Sequence, residues 1–594
     1  MGNLNRLVWG ILCLTVPTSF CADLVQGATA SGRRPNVLVI ITDDQGIGDF
    51  GWMGNPVIRT PNLDRLARES VRLTRFHVSP VCSPTRSSLM TGRYNYRTPV
   101  VDTYVGRSMM APDEVTIAEM LGAAGYRTAI FGKWHLGDTY PMRPIDQGFQ
   151  EALVLRGGGI GQPSDPPDGT SYFDPVLQHN GRTERRSGYC SDVFTDAAID
   201  YIRKPQRPDQ PFFIYLAFNC PHDPLEVPES YRKMYADTDL SIDRFPRSGF
   251  PLPALAPPEQ LARVYGMITN IDDNLGRLFA ALETEKVARD TIVVFLTDNG
   301  PAGVRYTAGL RGRKGTVYDG GIRVPALIRW TGTLTPAREI DRIAAHIDLA
   351  PTLLEACGVA PNASVKFDGK SLWPLILGKP ESANWPDRTL FFQWHRGDVP
   401  EKYRAFAARD PRYKLVKAEG PTGQGEPPFQ LFDMHADPSE EHDIAAQNPA
   451  IVDRLKDAYS RWFDDVTTSR GFAPLRTHLG SPHENLTVLT RQDWHVPSVR
   501  APQWAASTVV GNWEILVERP AVARLSVRLK PARASGVVHV RLGSLHLEQP
   551  VRAMAEWIHF DSVALPVGPG KLEAWIQDGE KVSGVWSINV ECRP

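Results

Sequence analysis

The chain has 594 residues, with 66 Lys+Arg against 67 Asp+Glu and a formal net charge of −1. So even a balance excludes nucleic acid or an anionic membrane surface as the main partner. The length allows several domains with large cores, and seven cysteines in a chain of this size exclude a disulfide scaffold.

In chain order, the first element is a leader. Arg6 precedes an apolar run from Leu7 to Phe20, and Ala28-Thr29-Ala30 follows. This predicts a signal peptide over residues 1–30 and export to the periplasm or the exterior. The run is too short and too interrupted to span a bilayer, and no other run approaches that length, so no transmembrane segment is expected. Cleavage removes Cys13 and Cys21 and leaves Cys82, Cys190, Cys220, Cys357 and Cys592. A Cys190–Cys220 bridge is among the pairings the sequence leaves open.

Four apolar runs follow: Asn36–Ile41, Pro211–Phe218, Thr291–Leu296 and Arg323–Trp330. Unbroken β-branched and aromatic runs of this length predict strands buried on both faces. Between them, Thr60-Pro61 opens a helical pattern, and further helices are predicted over Thr116–Ala124, Gln260–Glu283 and Ile347–Cys357. This alternation predicts an α/β catalytic domain over residues 31–378, a mostly parallel sheet flanked by helices. An Asn-Gly turn in Val176–Arg182 adds a hairpin. Short strands at Thr389–Trp394, Tyr413–Lys417 and Phe429–Asp433, with a helix over Ile451–Phe463, predict a small α+β subdomain over residues 379–475. Alternating runs such as Trp513, Ile515 and Val517 predict an accessory β-sandwich over residues 490–594. In it, Trp575 falls on a polar face with Glu573 and Gln577, a candidate platform for stacking a sugar.

Chemistry collects at strand ends. Asp43-Asp44 follow one buried run and Asp298-Asn299 follow another. In open parallel sheets, ligands bind beyond the carboxyl ends of strands. Three carboxylates and an amide oxygen suit a hard cation, Ca²⁺ ahead of Mg²⁺, whereas zinc would call for His or Cys. The alternative is that these side chains cap loops. Cys82 precedes a predicted helix with Pro84 in its first turn and Gly92 at its end, so the sulfur sits where free N–H groups attract anions. Arg86 lies one turn further along the same face. A soft thiolate beside a hard cation is a mismatch.

Cys82-Ser83-Pro84-Thr85-Arg86, followed by Thr91-Gly92-Arg93, resembles the signature of type I (formylglycine-dependent) sulfatases, of the alkaline phosphatase superfamily. The resemblance spans Asn36 to Asp443 and includes NVLVIITDDQG, GKWHLG, Asn219-Cys220-Pro221-His222, Arg313-Lys314-Gly315 and LFDMHADPSEEHDIA. It implies an arylsulfatase-like hydrolase with Cys82 oxidised to formylglycine by a formylglycine-generating or sulfatase-maturing enzyme. One hydroxyl of the hydrated aldehyde attacks sulfur, and deprotonation of the other releases sulfate, which removes the mismatch. It implies metal ligands at Asp43, Asp44, residue 82, Asp298 and Asn299. It further implies catalytic roles for Arg86, Lys133, His135, His222 and Lys314. Lys133 and His135, two apart near a strand end, are expected on one side. His222 is placed to protonate the leaving alcohol, His135 to take a diol proton, and Lys314 to clasp sulfate oxygens.

The substrate is expected to be a sulfated carbohydrate or a small sulfate ester. The Arg156–Gly161 loop and Trp394-His395-Arg396 are the candidate substrate contacts. Two other functions fit the same residues: a phosphate or phosphonate ester hydrolase, and an inactive carbohydrate-binding protein that keeps its thiol.

Overall fold

The run NVLVIIT sits at the centre of the main sheet because it is apolar on both faces. Val37, Val39 and Ile41 point into one core with Ile117, Leu121 and Leu353. Leu38 and Ile40 point into the other with Leu66, Phe194 and Leu275. This is the strand period of two with both sides covered. The computed structural model describes residues 33–592 apart from 166–168, 205–206, 208–209, 380–384, 419–427 and 497–502. The expected signal peptide lies outside the described residues.

Four strands matter for the site: β1 (Asn36–Thr42), β2 (Arg127–Lys133), β3 (Phe212–Ala217) and β4 (Thr291–Thr297). They run parallel in the order β4-β1-β3-β2, and Glu151–Leu155 extends the parallel block. The complete sheet has ten strands and is mixed. The predicted hairpin closes one edge, turning at Asn180-Gly181 with both residues at positive φ. At the other edge the run Arg323–Trp330 is not one strand. Pro325 has no N–H to donate, and the run breaks there. Arg323–Val324 pairs with Phe76–His77 in a three-stranded sheet, and Ala326–Arg329 joins β4 antiparallel.

The helices form near their predicted places: Pro61–Glu69, Ile117–Ala123, Pro258–Thr284 and Leu349–Ala356. Thr116 and Glu119 form a reciprocal capping box. The next sheet is antiparallel, in the order Leu390–Gln393, Phe406–Arg409, Tyr413–Lys417 and Gln430–Asp433. The helix Pro449–Thr468 covers it with Leu455, Tyr459 and Phe463. The last region holds two facing sheets, of six and four strands, around Trp513, Ile515, Val517, Leu525 and Val527. Trp575 is half-buried there, with the His539 ring stacked on it at 5.0 Å and 6°. One face expected to be open is thereby covered.

All five described cysteines are free thiols, so the Cys190–Cys220 bridge is not formed. Among the described residues, no helix is long and apolar enough to cross a membrane.

Two buried imidazoles, one on the three-stranded sheet and one in the turn that follows its last strand, pack against the four-stranded antiparallel sheet. His77 and His346 both lie against Phe392, with ring centroids 5.6 and 6.5 Å away. Burial lowers His346 to about 3, and burial also lowers His77. In the unfolded chain an imidazole protonates near pH ~6.5. Between the two values the unfolded state binds a proton that the folded state excludes. Stability from these histidines is therefore full above about pH 6.5 and falls as pH drops, by about 1.4 kcal/mol per unit for each neutral imidazole. His346→Gln is expected to flatten the decline of Tm between about pH 6 and 4. Thermal melts across that range check this, and an unchanged slope would contradict it.

Candidate active site

Register brings the two acidic pairs together. β1 and β4 are paired through Thr42 and Thr297, so Asp43-Asp44 and Asp298-Asn299 leave the sheet side by side. The Asp298 N–H donates to Thr42 O at 3.0 Å, and the Asp44 N–H donates to Asp298 Oδ1 at 3.2 Å. Asn299 Nδ2 donates to Asp44 Oδ1 at 2.8 Å. All four residues are buried.

These residues fit a hard cation. Asp43 Oδ1 and Asn299 Oδ1 are buried without a hydrogen-bond partner. Donor atoms of Asp43, Cys82 and Asp298 lie within 4.8 Å of one another, as do those of Asp43, Asp44 and His222. Burial and the adjacent Asp43 push the Asp298 carboxyl up to about 7. Burial also opposes ionisation of Asp43, but Lys133, His222 and Arg86 outweigh it and hold that carboxyl far below its usual range. Crowded buried carboxylates with unpaired oxygens are an oxygen-donor set for Ca²⁺ or Mg²⁺.

The helix Cys82–Thr91 starts against this cluster. Its N-cap Val81 offers no side-chain cap, and it ends at Gly92 with φ 67°. Every residue of the helix is buried. Burial pushes the Cys82 thiol up, with Lys133 and Lys314 opposing. The encoded thiol is thus held in its protonated, weakly nucleophilic form. Arg86 donates from Nη2 to Asp298 Oδ2 at 2.9 Å and from Nη1 to Lys133 O at 2.9 Å. It ties the helix to β2 and β4 together.

The remaining predicted residues converge from separate loops. Lys133 Nζ bonds Asp43 Oδ2. Lys314 Nζ lies 2.6 Å from Asp44 Oδ1, and His222 Nε2 lies 3.9 Å from Asp44 Oδ2. His222 Nδ1 donates to Asp223 O at 2.9 Å, which leaves Nε2 with the lone pair. Burial, then Lys314, lowers the affinity of His222 for a second proton. Three carboxylates (Asp43, Asp44, Asp298) thus meet three fixed cations (Arg86, Lys133, Lys314). A divalent ion leaves the centre positive and suited to an anionic ester.

His135 departs from the expected alternation. β2 ends at Lys133, and His135 lies beyond it at φ 61°, so strand geometry does not place the two side chains together. The His135 ring donates from Nε2 to Thr103 O at 2.7 Å, and its buried Nδ1 has no partner. Burial, then Lys133, keeps it neutral. The Arg156–Gly161 loop closes over it. A Cβ on Gly158 would lie 2.3 Å from the His135 ring, and one on Gly159 would lie 3.0 Å from His222.

Trp394 Nε1 donates to Asp102 Oδ1 at 3.1 Å, and its ring abuts Gly315, next to Lys314. Arg396 bonds the same Asp102 oxygen at 2.6 Å and lies over the Tyr104 and Trp394 rings. His395 engages both ring nitrogens within its own loop, with Arg396 O at 3.0 Å and the Glu401 N–H at 2.8 Å.

One contributor has no sequence signal. Gln492, from the accessory β region, donates through Nε2 to Thr103 O and Ser108 Oγ, both at 2.9 Å, and lies 3.4 Å from His135 Nε2. Its main-chain oxygen accepts the Gly106 N–H at 2.7 Å. It therefore clamps the loop that orients His135. Gln492→Ala is expected to lower kcat about tenfold with little change in KM, and to shift the pH limb of the base whose role the sulfatase resemblance gives to His135. Steady-state kinetics across pH check this. An unchanged kcat and profile would remove Gln492 from the positioning of His135.

Strand-end carboxylates, a buried helix start and converging cations on this sheet define a hydrolase of the alkaline phosphatase superfamily. Within it the chain belongs to the sulfatase family: the Sulfatase profile matches residues 35–359, and the profile of the N-sulphoglucosamine sulphohydrolase C-terminal region matches residues 313–461. It is similar to human arylsulfatase A, with 32% identity over 488 residues, covering 74% of this chain and 90% of that protein. It is also similar to the crystal structure of Ps i-CgsB in complex with k-i-k-neocarrahexaose, with TM-score 0.62, 26% identity, and coverage of 74% of this chain and 95% of that one. The fold extends to the phosphonate monoester hydrolase of Agrobacterium radiobacter, with TM-score 0.53, 24% identity, and coverage of 74% and 96%. The chain is an arylsulfatase-like sulfuric ester hydrolase.

Proposed function

We propose that the protein is an exported sulfatase that removes sulfate from a sulfated carbohydrate, using a formylglycine made from Cys82 by a maturing enzyme and a Ca²⁺ ion held by Asp43, Asp44, Asp298 and Asn299. One observation carries this most: a protonated, buried cysteine stands at a helix start within reach of unpaired carboxylate oxygens. A thiol there is neither a good nucleophile nor a suitable ligand for a hard ion, whereas an aldehyde hydrate is both. When present, the hydrate supplies the attacking oxygen and the ion offsets charge on the sulfate oxygens.

This chain's own residues do the rest. Lys133 and Lys314 hold sulfate oxygens on the positive side of the site. Arg86 fixes the helix start against Asp298. His222 Nε2 carries the proton to the leaving sugar oxygen once the bound anion raises its basicity. His135, neutral and with Nδ1 unpaired, accepts a proton from residue 82. Trp394 offers an apolar face for a sugar ring, and Arg396, partly exposed, offers charge to an acidic group. His395 holds that loop in shape. The carbohydrate named with the Ps i-CgsB structure supports the substrate class.

The test compares kcat/KM for matched aryl sulfate and aryl phosphate, followed by a panel of sulfated oligosaccharides. A preference for sulfate and release from at least one sugar are expected. A preference for phosphate or phosphonate would move the protein to that branch of the superfamily.

A further inference from the structure

The accessory β region carries a second group of metal-ligating side chains, on the opposite face of a strand pair from its core. Strands Val537–Leu542 and Leu545–Pro550 form a hairpin through Gly543 and Ser544. Val538, Val540 and Leu542 are buried, so His539 and Arg541 project to the other side. Register places His539 opposite Glu548 and Arg541 opposite His546. His539, His546 and Glu548 therefore share one face as cross-strand and diagonal neighbours.

Their donor atoms form a small triangle. His539 Nδ1 lies 3.2 Å from Glu548 Oε1, His546 Nε2 lies 3.4 Å from the same oxygen, and the two nitrogens are 3.4 Å apart. Zinc ligand bonds of about 2.0–2.1 Å place the ligand atoms of a tetrahedral ion about 3.3–3.4 Å apart. The triangle thus has the dimensions of one face of that tetrahedron. Two imidazoles and one carboxylate are also a zinc donor set, with the fourth position left for water.

The surroundings hold this geometry. Trp575, the register partner of His539 on the next strand, stacks on the His539 ring at 5.0 Å and 6° and on the His546 ring at 6.2 Å and 22°. Arg541 is paired with Glu573 at 2.6 Å, so it does not occupy Glu548. His539 is mostly covered, with 12% of its side chain exposed, while His546 and Glu548 are open at 49% and 54%, which gives an ion a route in. The donors differ in kind from the oxygen set at the catalytic centre, so the two sites select different ions.

We propose that His539, His546 and Glu548 form a zinc site on the accessory β region, separate from the catalytic metal. The competing arrangement is a hydrogen-bonded trio in which both rings donate to Glu548 Oε1.

The test uses the full-length mature protein, equilibrated with excess Ca²⁺ and then dialysed against limiting Zn²⁺. Metal content is measured in wild type, His546→Ala and Glu548→Gln. Wild type is expected to retain one zinc equivalent more than either variant, with aryl sulfate turnover unchanged by both substitutions. Replacing zinc by Co²⁺ is expected to give the visible bands of a tetrahedral cobalt site in wild type alone. Equal zinc content in all three proteins, or no cobalt bands in wild type, would overturn the proposal. Both variants alter half-exposed positions, and unchanged turnover doubles as the check that they fold.

Discussion

Cys82→Ala is expected to abolish sulfate release, with kcat reduced by about 10⁴-fold or more. The side chain is small and buried, and alanine fills nearly the same space. The helix Cys82–Thr91 and the Arg86 contacts to Asp298 and Lys133 should persist. Loss of turnover with an unchanged Tm would therefore report chemistry rather than folding. Cys82→Ser separates two roles of the residue. A serine hydroxyl can attack sulfur but has no second hydroxyl with which to expel sulfate. The variant is expected to accumulate one sulfate per chain on residue 82, visible by intact mass, and then stop. Multiple turnover by Cys82→Ala would contradict the assignment of the nucleophile.

Asp298→Asn is expected to damage both metal binding and the fold. Asp298 is one of the three carboxylates at the sheet edge, and it faces Arg86, whose side chain is fully buried. Asparagine removes a negative charge from the proposed ion site and leaves the guanidinium with Asp43 at 3.8 Å as its only remaining counter-charge among the contacts described. Breaking a buried pair by removing one partner costs about 3–5 kcal/mol. The expected results are a lower denaturation midpoint and loss of activity that added Ca²⁺ does not restore. In wild type treated with a chelator, added Ca²⁺ should restore it. Equal recovery of both proteins would contradict the ligand role of Asp298.

The sheet, the acidic strand ends and the start of the helix at Cys82 were legible from sequence because they depend on short-range pattern, whereas Lys133, His222 and Lys314 were reached only through the resemblance to sulfatases. Two apolar runs ending in acidic pairs become parallel neighbours, and nothing but strand period and strand-end position was needed to bring Asp43, Asp44, Asp298 and Asn299 together. The Pro84 and Gly92 punctuation likewise set the helix. Two features depended on local backbone detail. Pro325 splits a run that reads as one strand, and His135 takes a positive φ just past the end of β2, so counting residues misplaces it. Other features depended on contacts distant in sequence. Gln492 reaches His135 across 357 positions. The grouping of His539, His546 and Glu548 requires the hairpin register, and the half-burial of Trp575 requires knowing that His539 is its neighbour. His395 sits beside Trp394 and Arg396 in sequence, yet its ring turns back into its own loop. Adjacent residues at the end of a strand need not share a direction.

Mass spectrometry of the peptide containing residue 82, taken from protein that hydrolyses an aryl sulfate, tests the central claim most directly. The account predicts a lighter peptide carrying an aldehyde that reacts with a hydrazine probe. An intact cysteine thiol in fully active protein would contradict it.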